Sequence, residues 1–288
     1  MMLLTGIGAL LAAAADRRAV PGFVAYNLET AQGIVAAAER SGLPVIVQAG
    51  SSAFRHAGML PLAQLALGLA RASDAHVGVH LDHSRSLEEI SACLDLGYSS
   101  VMVDGSHLAY EENVALTRSA VERAHDAGAW AEGELAGIAG DEDVSSDAAP
   151  GAMTDPGQAA DFVSRTRVDA LAVAIGNVHG FTARPPRLDL DRCAELRDAT
   201  GVPLVLHGAS GLGDEVLLAC LDLGVAKVNV NAELRRAFLE GVGSALPAAM
   251  PLSDLVGALA AGREAVAAAA VRTTRLLGRA ERRGGSVS

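Results

Sequence analysis

Short apolar runs alternate with longer Ala- and Leu-rich segments along this chain, and the alternation constrains the fold more than any other feature. Short runs bounded by glycine or polar residues are typical of buried strands, whereas the longer segments are typical of helices. A strand followed by a helix, repeated eight times, predicts a parallel α/β fold, and eight units predict a closed (β/α)8 (TIM) barrel. The predicted strands are residues 20–26, 44–49, 76–81, 99–104, 129–135, 170–175, 203–206 and 226–230.

No linker-like segment divides the chain, so residues 1–288 are predicted to form a single barrel domain. An extra helix precedes the first strand, a loop at Gly50 comes before a helix over residues 60–73, and Ala-rich helices end the chain. The apolar opening resembles a signal peptide, but it lacks a basic start and a clear cleavage site. A doubly wound open sheet is the main alternative, and it would not explain why so many strand ends carry polar residues.

The composition argues against several classes of protein. Half of the 288 residues are hydrophobic and only 3% are aromatic, so a large core must consist of Ala, Val, Leu and Ile. A net charge of −11 argues against a nucleic-acid partner, although a few local cations can still bind a phosphorylated substrate. Three cysteines without a CxxC pair predict buried thiols in a cytoplasmic protein, and no run is long enough to cross a membrane.

Three of the predicted strands lead to a histidine, namely His83, His179 and His207. In a parallel barrel the carboxyl ends of the strands meet at one face, so the three imidazoles can converge there. A single histidine at a strand end is more often structural, but three at matching positions suit a zinc site with one open coordination position. Strand alternation predicts that His80 faces away from His83, and His107 is a candidate neighbour of the site.

Carboxylates also lie at or near the ends of predicted strands. Asp82 follows the third strand and could either cap a loop by hydrogen bonding or act as an acid or base beside a bound substrate. Glu132 and Glu134 alternate along one strand and face the same side, where a cation or a hydrogen-bond network would have to hold them. Residues 137–152 form a long polar segment that predicts a mobile active-site loop, within which Glu142 is otherwise an ordinary solvated acid.

Small residues follow the seventh and eighth strands, as His207-Gly208-Ala209-Ser210-Gly211 and Asn229-Val230-Asn231-Ala232. Their backbone N–H groups could close around an anion, and each loop leads into a helix. Glycine-rich turns also occur for packing reasons, but the loops after strands seven and eight are where barrels often bind phosphate. The two loops therefore predict a phosphate site.

Seven short motifs occur in order along the chain: Leu81-Asp82-His83, Asp104-Gly105-Ser106-His107, Glu132-x-Glu134-Leu135, Gly140-x-Glu142-Asp143, Gly176-x-x-His179-Gly180, His207-Gly208-Ala209-Ser210 and Lys227-Val228-Asn229-Val230. Together they resemble the motifs of the class II, zinc-dependent ketose-bisphosphate aldolases, which include fructose- and tagatose-bisphosphate aldolases. The resemblance covers residues 20–239, most of the chain, and the later motifs are nearer to the tagatose type.

The resemblance implies reversible cleavage of a ketose bisphosphate to dihydroxyacetone phosphate and an aldehyde, with Zn²⁺ rather than a lysine Schiff base activating the substrate. Asp82 matches the family's proton donor to the C4 oxygen, and Glu142 matches the loop carboxylate that moves a proton on the three-carbon substrate. The implied metal-binding residues are His83, His179 and His207 at the zinc position, with Asp104 and Glu134 at an alternative or second position.

The same resemblance implies a monovalent cation, Na⁺ or K⁺, near the backbone carbonyls of Val178, Gly180 and Gly208. It also implies a homo-oligomer, either a dimer or a tetramer, and a small sugar phosphate as the binding partner. The residues expected to contact the phosphate and the ketose are Gly180, Gly208, Ala209, Ser210, Asn229, Val230, Asn231 and Ala232.

Three positions depart from the family pattern at the substrate end. Val24 stands where an asparagine is usual, unless Asn27 substitutes for it. Gly50 replaces a serine or threonine, with Ser51 and Ser52 adjacent, and Ala232 replaces a threonine of the phosphate loop. Losing one donor to a phosphate costs about 1–3 kcal/mol if nothing replaces it. Two alternatives follow: a divergent aldolase that acts on another sugar phosphate, and a weakly catalytic partner subunit, against which the intact Asp82 and the three histidines argue.

Overall fold

The strands close into a barrel. A computed structural model of the protein describes residues 6–141, 143–145 and 147–279. Eight parallel strands follow one another in chain order, and the last strand pairs with the first, so the predicted (β/α)8 barrel is confirmed and an open sheet is excluded. The strands are β1 Val20–Val24, β2 Val45–Gly50, β3 Val77–Ser84, β4 Ser100–Asp104, β5 Trp130–Glu134, β6 Ala170–Ala172, β7 Leu204–Leu206 and β8 Val225–Val230.

Helices surround the barrel, and the extra helices expected at both ends of the chain are present. Local sequence sets several helix starts, because the side chains of Asn27 and Asp155 accept hydrogen bonds from first-turn N–H groups. The helices are α1 Gly8–Ala15, α2 Leu28–Ser41, α3 Ser51–Ala57, α4 Met59–Ala72, α5 Leu87–Leu96, α6 Tyr110–Asp126, α7 Pro156–Thr166, α8 Leu190–Thr200, α9 Asp214–Asp222, α10 Ala232–Ala249 and α11 Leu255–Leu277, with a 3₁₀ turn at Met250–Leu252.

The segment after Gly50 differs from the prediction, because the expected loop is the short helix α3. Its first turn has no side-chain cap, so the local sequence gives little sign of a helix. Ala53 and Phe54 are nevertheless buried in the core. Tertiary packing, rather than intrinsic helix preference, therefore holds this segment at the barrel mouth.

The carboxyl ends of two strands differ from the prediction by three residues each. β3 extends beyond its expected end to Ser84, whereas β6 ends at Ala172. After β6 the Ala174 N–H donates to the Thr154 hydroxyl at 2.9 Å instead of to a neighbouring strand. A side chain from outside the sheet thus ends the strand before the apolar run is complete.

The barrel interior has an apolar and a polar half. At the amino-terminal end α1 packs against β1 and β8, and Leu10 belongs to a buried cluster with strand residues that include Ile46, Met102 and Trp130. Toward the carboxyl ends the strands instead bury polar side chains. These are Gln48, Asp82, Glu132, Glu134, Lys227 and Asn229.

The cysteines and the helix lengths agree with the composition. The cysteines, Cys93, Cys193 and Cys220, are all buried and free, as expected for reduced thiols. Burial raises the pKa of each thiol. Within the described part of the chain, every helix is too short or too polar to span a bilayer.

Candidate active site

The three predicted histidines meet at the carboxyl end of the barrel. His83 Nε2 lies 2.8 Å from His207 Nδ1, and potential ligand atoms of His83, His179 and His207 all lie within 4.8 Å of one another. Among the residues that the structure describes, this is the one group of histidine, cysteine and acidic side chains compact enough to hold a metal ion. Three segments far apart in the sequence therefore supply a single cluster.

An irregular end of β3 turns both Asp82 and His83 toward the barrel mouth. Neighbouring residues of a regular strand point to opposite faces. Here the pairing with β4 shifts between Leu81 and Ser84, and His83 has a positive φ of 44°. Such a φ is uncommon outside glycine, and residues that adopt it cluster at functional sites. The irregularity allows two consecutive residues to serve one site.

The prediction that His80 faces away from His83 is wrong. Its ring is buried inside the barrel, with Nδ1 2.8 Å from the Ser100 Oγ and the ring stacked on Trp130. Its Nε2 lies 3.8 Å from a Glu132 carboxylate oxygen. The irregularity of β3 follows His80, so the alternation cannot be extended across it. Burial lowers the pKa of His80 well below its usual value, which keeps the ring neutral.

Close packing of two loops brings His179 to the other histidines. The His179 N–H donates to the Ala139 carbonyl oxygen at 2.8 Å. Gly208 lies so near the preceding loop that a Cβ atom on it would be 2.4 Å from the Val178 carbonyl oxygen. Only glycine permits this approach, and its φ of 59° is also one that glycine adopts readily. The loops after β6 and β7 are thereby fixed against each other.

A buried ion pair orients His207. Glu132 Oε1 lies 2.7 Å from His207 Nε2, and Glu132 Oε2 lies 2.8 Å from Lys227 Nζ, with all three side chains 0% exposed. Burial would raise the pKa of Glu132, but Lys227 and His207 hold it well below its usual range. The ionised Glu132 therefore accepts the His207 Nε2–H, which leaves the Nδ1 lone pair directed at His83. Burial also lowers the pKa of His207.

Sequence reasoning gave Lys227 no role, although a signal was available. Lys227 is the only lysine in the chain, whose other basic residues are arginines, and it lies within an apolar strand. A lone ammonium in such a strand must find a buried anion. Glu132, for which the sequence left a cation or a hydrogen-bond network open, is that partner.

Two amides hold the Asp82 carboxylate at the barrel mouth. Gln48 Nε2 donates to Asp82 Oδ2 at 2.7 Å, and Asn229 Nδ2 donates to Asp82 Oδ1 at 3.3 Å. Asn229 Nδ2 also lies 3.2 Å from His207 Nε2, so one amide contacts both the carboxylate and the histidine. Gln48 was not predicted as a site residue. The only sign in the sequence was a polar glutamine within the otherwise apolar strand β2.

Asp104 and Glu134 lie beside His83 but outside the three-histidine cluster. Their carboxylate oxygens are 3.7 Å and 3.8 Å from His83 Nδ1. Burial would raise the pKa of Asp104, but His83, the Ser106 hydroxyl and Arg85 hold it well below its usual range. Burial, reinforced by Asp104, raises the pKa of Glu134 to about 8. The two neighbouring carboxyl groups therefore favour opposite protonation states at neutral pH.

A small cleft beside His179 contains part of the predicted phosphate site. Val24, at the position where an asparagine was expected, lies in its wall. The predicted contact residues that line the cleft are Gly180, Gly208, Ser210, Asn229 and Asn231. The other three predicted contact residues are buried and do not line the cleft; they are Ala209, Val230 and Ala232.

Glu233, in the first turn of α10, fixes the loop after β7. Its carboxylate accepts hydrogen bonds from the Ser210 hydroxyl at 2.5 Å and from the Gly211 N–H at 2.8 Å. Two donors that the sequence assigned to a phosphate loop therefore already have an anionic acceptor within the chain. Glu233 could not be singled out from the sequence, because an acidic residue in the first turn of a helix is common through its favourable interaction with the helix dipole.

The polar segment over residues 137–152 is tied to the barrel mouth through Tyr26. The Tyr26 hydroxyl donates to Asp143 Oδ1 at 2.5 Å, and Asn231 Nδ2 donates to the Tyr26 oxygen at 2.9 Å. Burial and Asp143 raise the pKa of Tyr26. Glu142, the predicted loop carboxylate, lies outside the described residues. Its neighbour Asp143 is described, and the bond from Tyr26 holds that residue at the barrel mouth.

Fold and site together define a TIM-barrel protein with a candidate metal centre at the carboxyl ends of its strands. The sequence profile of the family described as fructose-bisphosphate aldolase class-II matches residues 7–282. The chain therefore belongs to the class II aldolase family, as its motifs led us to expect.

Solved structures support the same conclusion. The chain is 33% identical to the YdjI aldolase from Escherichia coli K12, with a TM-score of 0.84 over 96% of this chain and 97% of that one. It is 33% identical to a protein assigned as a fructose-1,6-biphosphate aldolase from Coccidioides immitis, with a TM-score of 0.85 over 94% and 95%. A fructose-bisphosphate aldolase from Campylobacter jejuni shares the fold at 20% identity, with a TM-score of 0.81 over 96% and 95%.

Proposed function

We propose that this protein is a zinc-dependent aldolase that reversibly cleaves a ketose phosphate to dihydroxyacetone phosphate and an aldehyde such as glyceraldehyde 3-phosphate. The observation that carries the proposal is the convergence of His83, His179 and His207 next to the Asp82 carboxylate. Three ligands and a nearby acid are what metal-assisted cleavage of a carbon–carbon bond beside a carbonyl requires.

The donor set fits Zn²⁺. Three imidazoles that leave a coordination position open are typical of catalytic zinc sites. Glu132 accepts the proton on Nε2 of His207, so the Nδ1 lone pair that faces His83 could bind a metal, which is the usual outer-shell arrangement for a ligating histidine. Bound zinc would act as a Lewis acid that polarises the substrate carbonyl and stabilises the negative charge that develops beside it. Asp104 and Glu134 are candidates for an alternative metal position near His83.

A Schiff-base mechanism, the other common route to an aldol cleavage, is disfavoured by the lysine content. Lys227 is the only lysine, and its side chain is 0% exposed and ion-paired with Glu132 at 2.8 Å. An amine must be deprotonated and reach the substrate carbonyl to form an imine. A fully buried, charge-paired ammonium meets neither requirement.

In the proposed reaction Asp82 moves the proton at the C4 oxygen. Gln48 and Asn229 hold its two oxygens, so the carboxyl group has a fixed position beside the histidines. Glu142 is proposed, from the match of its motif to the family, to move the proton on the three-carbon half. Proton transfer would then be divided between a fixed group on β3 and a group on the polar segment of residues 137–152.

The phosphate of the three-carbon half is proposed to bind in the small cleft next to His179. Gly180 and Gly208 line the cleft with backbone N–H groups, and the side chains of Ser210 and Asn231 that also line it would exchange their bonds to Glu233 and Tyr26 for bonds to the phosphate. Val178, Gly180 and Gly208 would also supply backbone carbonyls to a monovalent cation, Na⁺ or K⁺. Ala232 offers no hydroxyl, so this site is expected to bind phosphate through fewer donors.

A homo-oligomer in the cytoplasm is part of the proposal. Large apolar side chains are exposed along α10, the 3₁₀ turn and α11. Exposed large apolar side chains on consecutive elements favour association with another protein surface, and a second copy would supply one. The exposed residues are Leu239, Leu246, Met250, Leu252, Leu255 and Val256.

A divergent substrate is the second candidate. Val24 and Ala232 depart from the family pattern, and Val24 lines the small cleft itself. An apolar side chain in place of an amide removes a hydrogen-bonding group from the substrate contacts. The chemistry would be the same, but the ketose phosphate would differ from fructose or tagatose bisphosphate.

The proposal is tested by measuring zinc in the purified protein and assaying cleavage of a panel of ketose phosphates with and without chelator. We expect bound zinc and chelator-sensitive cleavage of at least one substrate. Asp82→Ala should abolish turnover and keep the zinc, whereas Asp95→Ala, on the exposed face of α5, should change neither. Absence of zinc, or cleavage that ignores the chelator, would contradict the proposed mechanism. A weakly catalytic partner subunit would cleave no substrate in the panel.

A further inference from the structure

We propose that Glu89, in the first turn of α5, is a positioning residue that holds His83 in the conformation needed to bind a metal. The inference rests on the proposed zinc site and adds a residue that lies outside the motifs and the proposed proton transfers. The Glu89 carboxylate accepts hydrogen bonds from two serine hydroxyls at the ends of neighbouring strands. These are Ser84, the last residue of β3, and Ser51, the residue directly after β2.

His83 has a backbone conformation that needs support from its surroundings. Its φ of 44° lies in the left-handed region, which is costly for a residue with a Cβ atom. The pairing with β2 ends at Asp82, and the pairing with β4 resumes only at Ser84. The strained residue therefore lies in a gap between two paired residues. Such a conformation persists only where the neighbouring structure fixes it.

The end of β2 fixes the residue before His83. Gly50 pairs with Asp82, and a Cβ atom on Gly50 would lie 2.8 Å from the Asp82 carbonyl oxygen. Gln48 Nε2 holds the Asp82 carboxylate at 2.7 Å. The chain on the amino-terminal side of His83 therefore has little freedom to shift.

Glu89 fixes the residue after His83. Ser84 is 0% exposed, and its hydroxyl donates to Glu89 Oε2 at 2.6 Å. The Ser86 carbonyl oxygen, at 3.3 Å, is the other acceptor within reach of this hydroxyl. A buried hydroxyl that loses its acceptor must find another one. Without Glu89, Ser84 would have to move toward Ser86, and His83 is bonded directly to it.

The same carboxylate connects β3 to β2. The Ser51 hydroxyl lies 2.9 Å and 3.1 Å from the two oxygens of Glu89. Ser51 begins α3 and directly follows Gly50, the residue that pairs with Asp82. One side chain thus binds the residues that follow both strand ends. His83 is enclosed between a contact made through β2 and a contact made through Glu89.

The helix α5 holds Glu89 itself in place. The Glu89 N–H donates to Ser86 Oγ at 3.2 Å, which caps the helix, and the neighbouring Ile90 is buried in the core. Glu88, one residue earlier, is exposed, and its carboxylate accepts the Ser86 hydroxyl at 2.8 Å within the same turn. Both acids are equally placed to interact with the helix dipole. The contact with β3 distinguishes Glu89 from Glu88.

Loss of the Glu89 carboxylate is expected to release Ser84 and to let the φ of His83 relax. The direction of a side chain follows its backbone, so the imidazole would turn away from His179 and His207. Binding a metal would then require the imidazole to return, and the apparent affinity falls with the fraction of molecules in the competent conformation. The expected result is weaker metal binding by a protein that still folds.

The test measures zinc affinity of the full-length protein by competition with a chromophoric chelator, together with the visible absorption of the Co²⁺-loaded protein. Glu89→Ala should weaken zinc binding by about 10- to 100-fold and change the Co²⁺ absorption, which reports the arrangement of the ligands. Glu89→Gln keeps an acceptor oxygen for Ser84 and should recover much of the affinity.

Glu88→Ala is the matched control, because it removes the same charge from the same turn of α5. It should change zinc affinity by less than about threefold and leave the Co²⁺ absorption unaltered. Ser84→Ala reaches the contact from the other side and should also weaken zinc binding, so the test does not depend on Glu89→Ala being stable. The double variant Glu89→Ala/Ser84→Ala should bind zinc as Glu89→Ala does, because both changes remove one bond.

Wild-type zinc affinity and Co²⁺ absorption in both Glu89→Ala and Ser84→Ala would overturn the positioning role, even if urea unfolding shows that both variants are less stable. Equal losses of affinity in Glu88→Ala and Glu89→Ala would assign the effect to the charge of α5. Additive losses in the double variant would separate Glu89 from Ser84. A wild-type protein that binds no zinc would overturn the proposed function as well, whereas the other outcomes overturn this inference alone.

Discussion

The buried Glu132 carboxylate is expected to support both the stability of the barrel and its affinity for a metal. In Glu132→Gln the carboxylate becomes a neutral amide of similar shape, which strands the Lys227 ammonium that lies 2.8 Å away and 0% exposed. Breaking a buried pair in this way costs about 3–5 kcal/mol of unfolding free energy. The amide is also a weaker acceptor for His207, and loss of such an outer-shell partner weakens metal binding by about 10- to 100-fold.

Two measurements separate these effects. Urea unfolding of the chelator-treated protein reports the free energy of unfolding, and competition with a chromophoric chelator reports zinc affinity. The double variant Glu132→Gln/Lys227→Met removes the stranded ammonium, so it should recover most of the lost stability. Its zinc affinity should stay below that of the wild type, because His207 still lacks a carboxylate partner. Glu240→Gln, an exposed acid of α10, is the control.

The reasoning would be refuted by wild-type stability together with wild-type zinc affinity in Glu132→Gln. Equal losses of stability in the single and double variants would show that the unpaired ammonium of Lys227 is not the cause. Wild-type zinc affinity in a destabilised variant would show that the contact to His207 does not control the metal site.

Two further predictions concern the contact between Tyr26 and Asp143 and the buried carboxyl group of Glu134. Tyr26→Phe removes the hydrogen-bond donor to Asp143 and should lower kcat by about tenfold. The same variant should lose less than about 1 kcal/mol of unfolding free energy in urea. The control is Tyr110→Phe, which loses a similar bond to Asp161 and should leave kcat unchanged. Because the Glu134 pKa rises from 4.5 to about 8 on folding, the metal-free folded state retains a proton that the unfolded chain releases between these values. Stability of the metal-free wild type should therefore fall relative to Glu134→Gln as pH rises from about 4.5 to about 8, and parallel pH curves would contradict the shift.

The barrel could be predicted because its signals are local. Strand and helix periodicity, helix caps such as Asn27 and Asp155, and polar residues at strand ends all lie within short windows of sequence. The positions missed were those where a distant contact decides the local structure. α3 forms because Phe54 enters the core, and β6 stops because Thr154 binds the backbone at Ala174.

The site was predicted in part for the same reason. Histidines and carboxylates at strand ends are visible in the sequence, and barrel topology places strand ends together. The direction of His80 could not be predicted, because the irregularity of β3 breaks the alternation on which the prediction relied. Gln48 and Glu233 were missed because their partners, Asp82 and Ser210, come from other strands and loops.

By itself the sequence determined the barrel, the three histidines and their order around its mouth, because the order of parallel strands follows the order of the chain. Only the tertiary structure decided how those residues work together. It brought the single lysine, Lys227, to Glu132, it turned His83 to the same side as Asp82, and it joined the end of β3 to Glu89 of α5. Each of these depends on contacts between segments distant in sequence, where packing and charge pairing prevail over local preference.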